Sequence, residues 1–262
     1  MYKRQAKYSD SVWLNKANDT IQQEVNEEVN KFFSDFTMIE EELYVLFQHI
    51  TYYFPEIATP RIVTITNDVD YRNKVVIGKG LLIIALDTYL GEDHHFYAGI
   101  QKYLRQNFKK DQIVPDIAAV YAKNKVGPVR DRTFLGNMIA VGKELYVKNL
   151  LLPKMDEARK LGYTKAQYDW IVANEEEIWK FFIEKNLLYS TEKELLPRFL
   201  YPAPFSKFYL EEIDKEAPDR VAQCIGLWIV DAYMKNNNVS LQQLLITDPE
   251  TIFNRSKYKP RK

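Results

Sequence analysis

Residues 91–99, Gly-Glu-Asp-His-His-Phe-Tyr-Ala-Gly, hold two of the chain's three histidines directly after an acidic pair. Imidazoles beside carboxylates are the side chains of zinc sites and of general acid–base catalysis. The spacing argues against a shared ion. Neighbouring side chains on a helix diverge by about 100°, whereas helical zinc sites set histidines four residues apart, as in His-Glu-x-x-His. Neither that motif nor its inverse occurs. His49 could join His94 or His95 through the fold, with Asp93 as the carboxylate. Against this, Glu92 and Asp93 read as the acidic first turn of a helix, where the macrodipole accounts for them. The expectation is no metal and no cofactor.

Other chemistries find less support. No Gly-x-Ser-x-Gly, P-loop or Gly-x-Gly-x-x-Gly is present, so a serine nucleophile or a nucleotide has no local signature. Cys224 falls on an apolar helical face and reads as a small core residue. Glu175 has two readings. On one continuous helix it shares a side with Ile171 and Ile178; otherwise Asn174 caps a new helix whose first turn carries Glu175, Glu176 and Glu177. The cap explains all three charges and is preferred. Lys143 and Glu144 interrupt an otherwise apolar helix, and either line a cleft or reach solvent at one edge. The closing Arg-Ser-Lys-Tyr-Lys-Pro-Arg-Lys carries five basic residues in eight and reads as a solvated tail, with contact to acidic lipid or a partner as the alternative.

The elements that must position these residues follow from patterning. The chain has 262 residues, 36 basic and 36 acidic, which gives no global basic field for nucleic acid. No apolar run is long enough to cross a membrane. Thr20 with Gln23 predicts a capped helix with Ile21, Val25, Val29, Phe32 and Phe36 on one stripe. Thr37 with Glu40 opens a second, with Ile39, Leu43, Leu46, Phe47, Ile50 and Phe54 on one face. A β signal follows in Arg-Ile-Val-Thr-Ile-Thr, Asn-Lys-Val-Val-Ile-Gly and the run from Gly80. Residues 131–153 predict a central buried helix. Helix starts are read at Thr164/Gln167, Asn174/Glu177, Thr191/Glu194, Ser240/Gln243 and Asp248-Pro249. The segment 199–218, rich in proline and aromatics, either packs its rings onto the body or forms a partner surface through Pro204, Phe205, Lys207 and Phe208; packing is preferred. Together these give one α+β domain over residues 20–262, mostly helical, with a small sheet around residues 61–87. Residues 1–19 read as a poorly defined segment. The opening Met-Tyr-Lys-Arg-Gln is unlike a natural start, and a truncated beginning is expected.

Six strings in order, GLLIIALDTYLGED, MIAVGKELYVKNLLLP, LGYTKAQYDWIVANEEEIWKFFIEKNLLYST, RFLYPAPFSKFYLEE, IGLWIVDAYMKNNNVSLQQLL and FNRSKYKPRK, resemble the gliding-motility lipoprotein family GldB of Bacteroidetes. The resemblance implies a zincin-like fold, export across the inner membrane, an N-terminal lipid anchor, and support of gliding and type IX secretion through partners in the cell envelope. Two departures matter. No lipobox cysteine is present, as a truncated start would explain. The His-Glu-x-x-His of a working peptidase is also absent, which implies a degenerate cleft without catalysis. By position, Gly142, Lys143, Tyr146 and Glu175 are expected to line it. The alternative is a divergent zinc hydrolase built on His49, one of His94 and His95, and a carboxylate.

Overall fold

The structure is a computed structural model and describes residues 9–261. In chain order its first elements are α1 (Asp10–Ala17), α2 (Thr20–Phe32), α3 (Thr37–Tyr53), β1 (Arg61–Ile65), β2 (Val75–Gly78) and β3 (Leu81–Ala85). Helices follow: α4 (Lys102–Arg105), α5 (Ile113–Val126), α6 (Phe134–Leu151), α7 (Glu157–Leu161), α8 (Lys165–Ala173), α9 (Glu175–Glu184) and α10 (Leu195–Phe199). The chain closes with α11 (Glu211–Asp214), α12 (Val221–Asn236), α13 (Leu241–Ile246) and α14 (Pro249–Ser256). The mostly helical α+β reading holds, with the three strands where the β signal lies. Their order is β1-β3-β2; β1 runs parallel to β3 and β2 antiparallel.

Two apolar clusters share one helix. The first joins α2, α3, the sheet and α5, and takes Val147 and Leu151 from the last turns of α6. The second joins α8 to α10, α12 and α14, and takes Phe134, Leu135, Met138, Ile139 and Leu145 from the rest of α6. Because α6 serves both, it is apolar on nearly every side. It crosses α12 at two glycines. A Cβ on Gly142 would stand 2.3 Å from the Gly226 carbonyl oxygen, and one on Gly226 would stand 2.1 Å from that of Met138. Only glycine permits that approach.

Local signals fared unevenly. The α3 stripe is buried at all six expected positions. The capping boxes at Thr164/Gln167 and Ser240/Gln243 form, and Asp248 caps α14 ahead of Pro249. The Thr20/Gln23 box does not. Asp19 caps α2 instead, accepting from the amides of Ile21 and Gln22; Val25 and Val29 are buried as expected, together with Gln22, while Ile21 and Phe32 are exposed. The Thr37/Glu40 box does not form either: Phe36 is the N-cap of α3 without a side-chain bond, and Asp35, two residues before Thr37, accepts from the Thr37 amide. Asn174 makes no cap bond either, its amide donating back to the Trp170 carbonyl. Thr191 opens no helix; α10 begins at Leu195.

Candidate functional site

Helices α8 and α9 meet at Asn174 with a slight break rather than a capped restart. Glu175 therefore keeps the side of Ile171 and Ile178 and is turned inward, 2% exposed. Glu176 and Glu177 stay outside and pair with Lys180. The preferred capping account of Glu175 is corrected: spacing against the apolar face governs it. An ionised carboxylate so buried needs partners, and they come from the C-terminal segment. Tyr258 donates its hydroxyl to Oε1 at 2.8 Å, and Arg261 Nε reaches Oε2 at 2.5 Å. The Arg261 guanidinium lies 4.4 Å over the Trp228 ring, and the Tyr258 ring meets Trp179 edge-on at 5.3 Å. Burial, reinforced by the Glu175 charge, holds the Tyr258 hydroxyl well above its usual range, so it stays a donor.

The solvated-tail reading is thus also corrected. Lys257 adopts a left-handed conformation after α14, the Tyr258 amide donates to Ser256 Oγ, and Asn236 donates to the Ser256 carbonyl. These contacts steer the tail into a cleft of about 590 Å³ whose walls include Asn149, Tyr168 and Trp228. Asn149 Oδ1 is buried there without a hydrogen-bond partner. A carboxylate saturated by Tyr258 and Arg261 works as an anchor for a segment of chain, not as a free base.

The other expected cleft residues lie elsewhere. Lys143 is buried and donates to the carbonyls of Leu245 (3.2 Å) and Thr247 (2.6 Å), capping the end of α13. Burial lowers its pKa, with Asp248 opposing. It borders a separate cleft of about 470 Å³ between residues 125–131 and 245–249. Gly142 is spent on the α6–α12 crossing. Tyr146 packs against the second core cluster, and burial raises its pKa. Gly142, Lys143 and Glu175 therefore serve three different places.

Sequence reading missed the interior cations. Lys148 is buried on α6, and burial pushes its pKa down to about 8 against the pull of Asp116. Arg220 bonds Asp219, the carbonyls of Leu161 and Gly162 at the end of α7, and lies over the Tyr163 ring. A lysine on a helix apolar all round was the available signal. Burial pushes the Cys224 thiol up to about 12, as suits a core residue and not a nucleophile.

The 200–218 loop splits its rings. Phe208, 4% exposed, stands edge-on to Phe181 and Phe199, with centroids 5.0 and 5.1 Å away. Phe205, Pro204 and Lys207 face outward. The frame is held from within. The Ser206 amide donates to the Pro218 carbonyl and its hydroxyl accepts from Val221 N–H, while Asp214 accepts from the amides of Phe208 and Tyr209. Tyr209 sits at φ 62° and carries Arg198 at 4.6 Å and Lys207 at 4.8 Å over its ring.

The histidines form a surface corner. Glu92 and Asp93 occupy a turn and not a helix start; a single 3-10 turn, His95–Tyr97, follows. The two rings stack with centroids 4.5 Å apart, His94 facing Glu28 at 3.6 Å and His95 facing Glu24 at 3.2 Å, both on α2. His49 is far from them in role, its Nδ1 lying 2.9 Å from the Leu151 carbonyl. Among the described residues no group of three or more His, Cys, Asp or Glu side chains is arranged to hold a metal ion, and no helix is long and apolar enough to cross a membrane.

A family model described as "Gliding motility protein GldB" matches residues 1–260. No curated protein and no solved structure matches the chain.

Proposed function

The chain belongs to the gliding motility lipoprotein family GldB, and on that premise we propose that it works without catalysis, supporting gliding and type IX secretion by holding partner proteins in the cell envelope. The observation that carries this reading is the 200–218 loop. Tyr201, Phe205, Tyr209, Leu210 and Ile213 are each exposed, with Phe205 and Tyr209 on the wall of one shallow cleft, on a backbone fixed by buried Ser206 and Phe208 and by the Asp214 carboxylate. Exposed aromatics on a preordered frame lose little entropy on binding and suit protein recognition. The proposal includes a periplasm-facing position, a lipid anchor, and descent from a zincin-like fold whose peptidase chemistry is gone. A small mixed sheet followed by the buried helix α6 supports that descent.

Phe205→Ser combined with Tyr209→Ser tests it. The expected outcome is loss of cross-linked envelope partners and of gliding in cells, with the purified protein's melting temperature changed by no more than about 2 °C. Phe208→Ala belongs to a different experiment. It empties a core position and is expected to cost about 3–5 kcal/mol. Full gliding and secretion in the double variant would overturn the docking role. One tightly held zinc ion per chain by elemental analysis would overturn the non-catalytic reading in favour of a divergent hydrolase at the histidine corner.

A further inference from the structure

We propose that the groove between α2 and the end of β1 takes an extended polypeptide segment from another molecule, paired along the free edge of β1. This rests on the partner-binding reading but names a second surface and the chemistry of its ligand. The Arg61 amide donates to the Gly80 carbonyl, and the register runs from Arg61↔Leu81 to Ile65↔Ala85. In a parallel ladder Arg61, Val63 and Ile65 then turn their N–H and C=O groups to β3, while Ile62 and Thr64 turn theirs away. Among the described residues no strand pairs on that side.

The groove beside it measures about 620 Å³, and α2 contributes Gln22, Asn26 and Asn30 to its wall, with Thr64 and Thr66 opposite. Among the described residues, none that lines it is charged. Gln22 is 7% exposed. Its Nε2 donates to Thr66 Oγ1 at 2.9 Å and to Asn26 Oδ1 at 3.3 Å, yet its Oε1 is buried without a partner. An unmet buried acceptor costs about 1–3 kcal/mol, so this wall lacks a donor. The three carboxamides recur every fourth residue, about 6 Å apart along the helix. Alternate residues of an extended chain recur at about 6.6–6.8 Å. Carboxamides and hydroxyls donate and accept as a peptide backbone does, so a chain laid along α2 meets a matching group at every second residue. Strand addition of this kind takes its affinity from main-chain bonds and tolerates many sequences. The uncharged walls give an anionic lipid or nucleic acid nothing to pair with.

The test uses the full chain, labelled with ¹⁵N, and a capped, uncharged peptide of alternating threonine and valine. Saturable shifts are expected at the amides of Ile62 and Thr64 and at the side-chain amides of Asn26 and Asn30, with exchange at Thr64 slowed at least roughly tenfold. Thr64→Pro removes an outward donor while leaving the β3 ladder intact and is expected to abolish these shifts; Asn30→Ala, which leaves the strand untouched, is expected to weaken binding several-fold. Four results would overturn the inference. The peptide produces no saturable shift; a version N-methylated at every amide binds equally well; a neutral glucan saturates the groove and the peptide does not; or removing residues 1–8 shifts Thr64 without peptide, which assigns the groove to the chain's own start. If the peptide fails while the Phe205→Ser, Tyr209→Ser protein still loses its partners, the groove falls and the functional reading stands.

Discussion

The histidine corner and the Glu175 clasp put the same elementary pair, a carboxylate and a basic side chain, in opposite settings. His94 and His95 lie beside Glu28 and Glu24 at 3.6 and 3.2 Å, with side-chain exposures of 13% for His94 and 63% for His95. An exposed pair such as His95–Glu24 contributes little, because water competes for both partners. Glu175 is enclosed, and its two oxygens are met by a tyrosine and an arginine from the end of the chain. There water is excluded, and losing the partners strands a charge. The difference teaches that chemical conspicuousness in a sequence and energetic weight in the fold are separate properties. Two adjacent histidines draw the eye; a glutamate in a run of three does not.

Within this comparison, breaking the clasp gives the largest expected effect. Tyr258→Phe with Arg261→Ala is expected to cost about 3 kcal/mol, the low end for stranding a buried charge because Arg261 is itself half exposed. Adding Glu175→Leu should restore most of that stability, which denaturant titration of the three proteins measures. If the triple variant is no more stable than the double, the loss came from tail packing and the contrast with the histidines fails. Lys148 sharpens the comparison from the cationic side. Its pKa falls to about 8 from an ordinary 10.5, so between those values the folded state binds fewer protons than the unfolded one and stability rises with pH. Lys148→Met is therefore expected to stabilise the protein by about 1–3 kcal/mol at pH 7. The gain should shrink as pH climbs through that window, and equal gains at low and high pH would sink the idea. The smallest effect belongs to His95→Ala, expected within about 0.5 kcal/mol. A larger loss, or a melting temperature that rises with added zinc, would turn the corner back into a site.

What was legible in the sequence was local. The α3 stripe, the boxes at Thr164 and Ser240 and the Asp248-Pro249 start depend on residues within one or two turns, and all are present. Thr20 misled because Asp19, one residue earlier, is at least as good an acceptor for the first free amides. The inward direction of Glu175 was legible in its spacing from Ile171 and Ile178, but its partners lie 83 and 86 residues away, beyond any window of periodicity, so the cap looked the simpler account. Phe205 and Phe208 are one motif in the sequence, but the loop's turns send one ring out and one in. The expected cleft dissolved for a similar reason. Gly142, Lys143 and Tyr146 share a helix, yet that helix is packed on every side, so near neighbours in the chain meet different parts of the molecule.

The clasp also imposes an order on folding. Arg261 follows Glu175 by 86 residues, so their meeting is a long-range closure that costs loop entropy before it gains a contact. The first cluster draws its buried residues from positions 25 to 152, whereas the glutamate of α9 is met by residues 258 and 261. The second cluster is therefore complete only when Tyr258 and Arg261 dock, and a chain cleaved ahead of Tyr258 is left with an unfinished interior that proteases can reach.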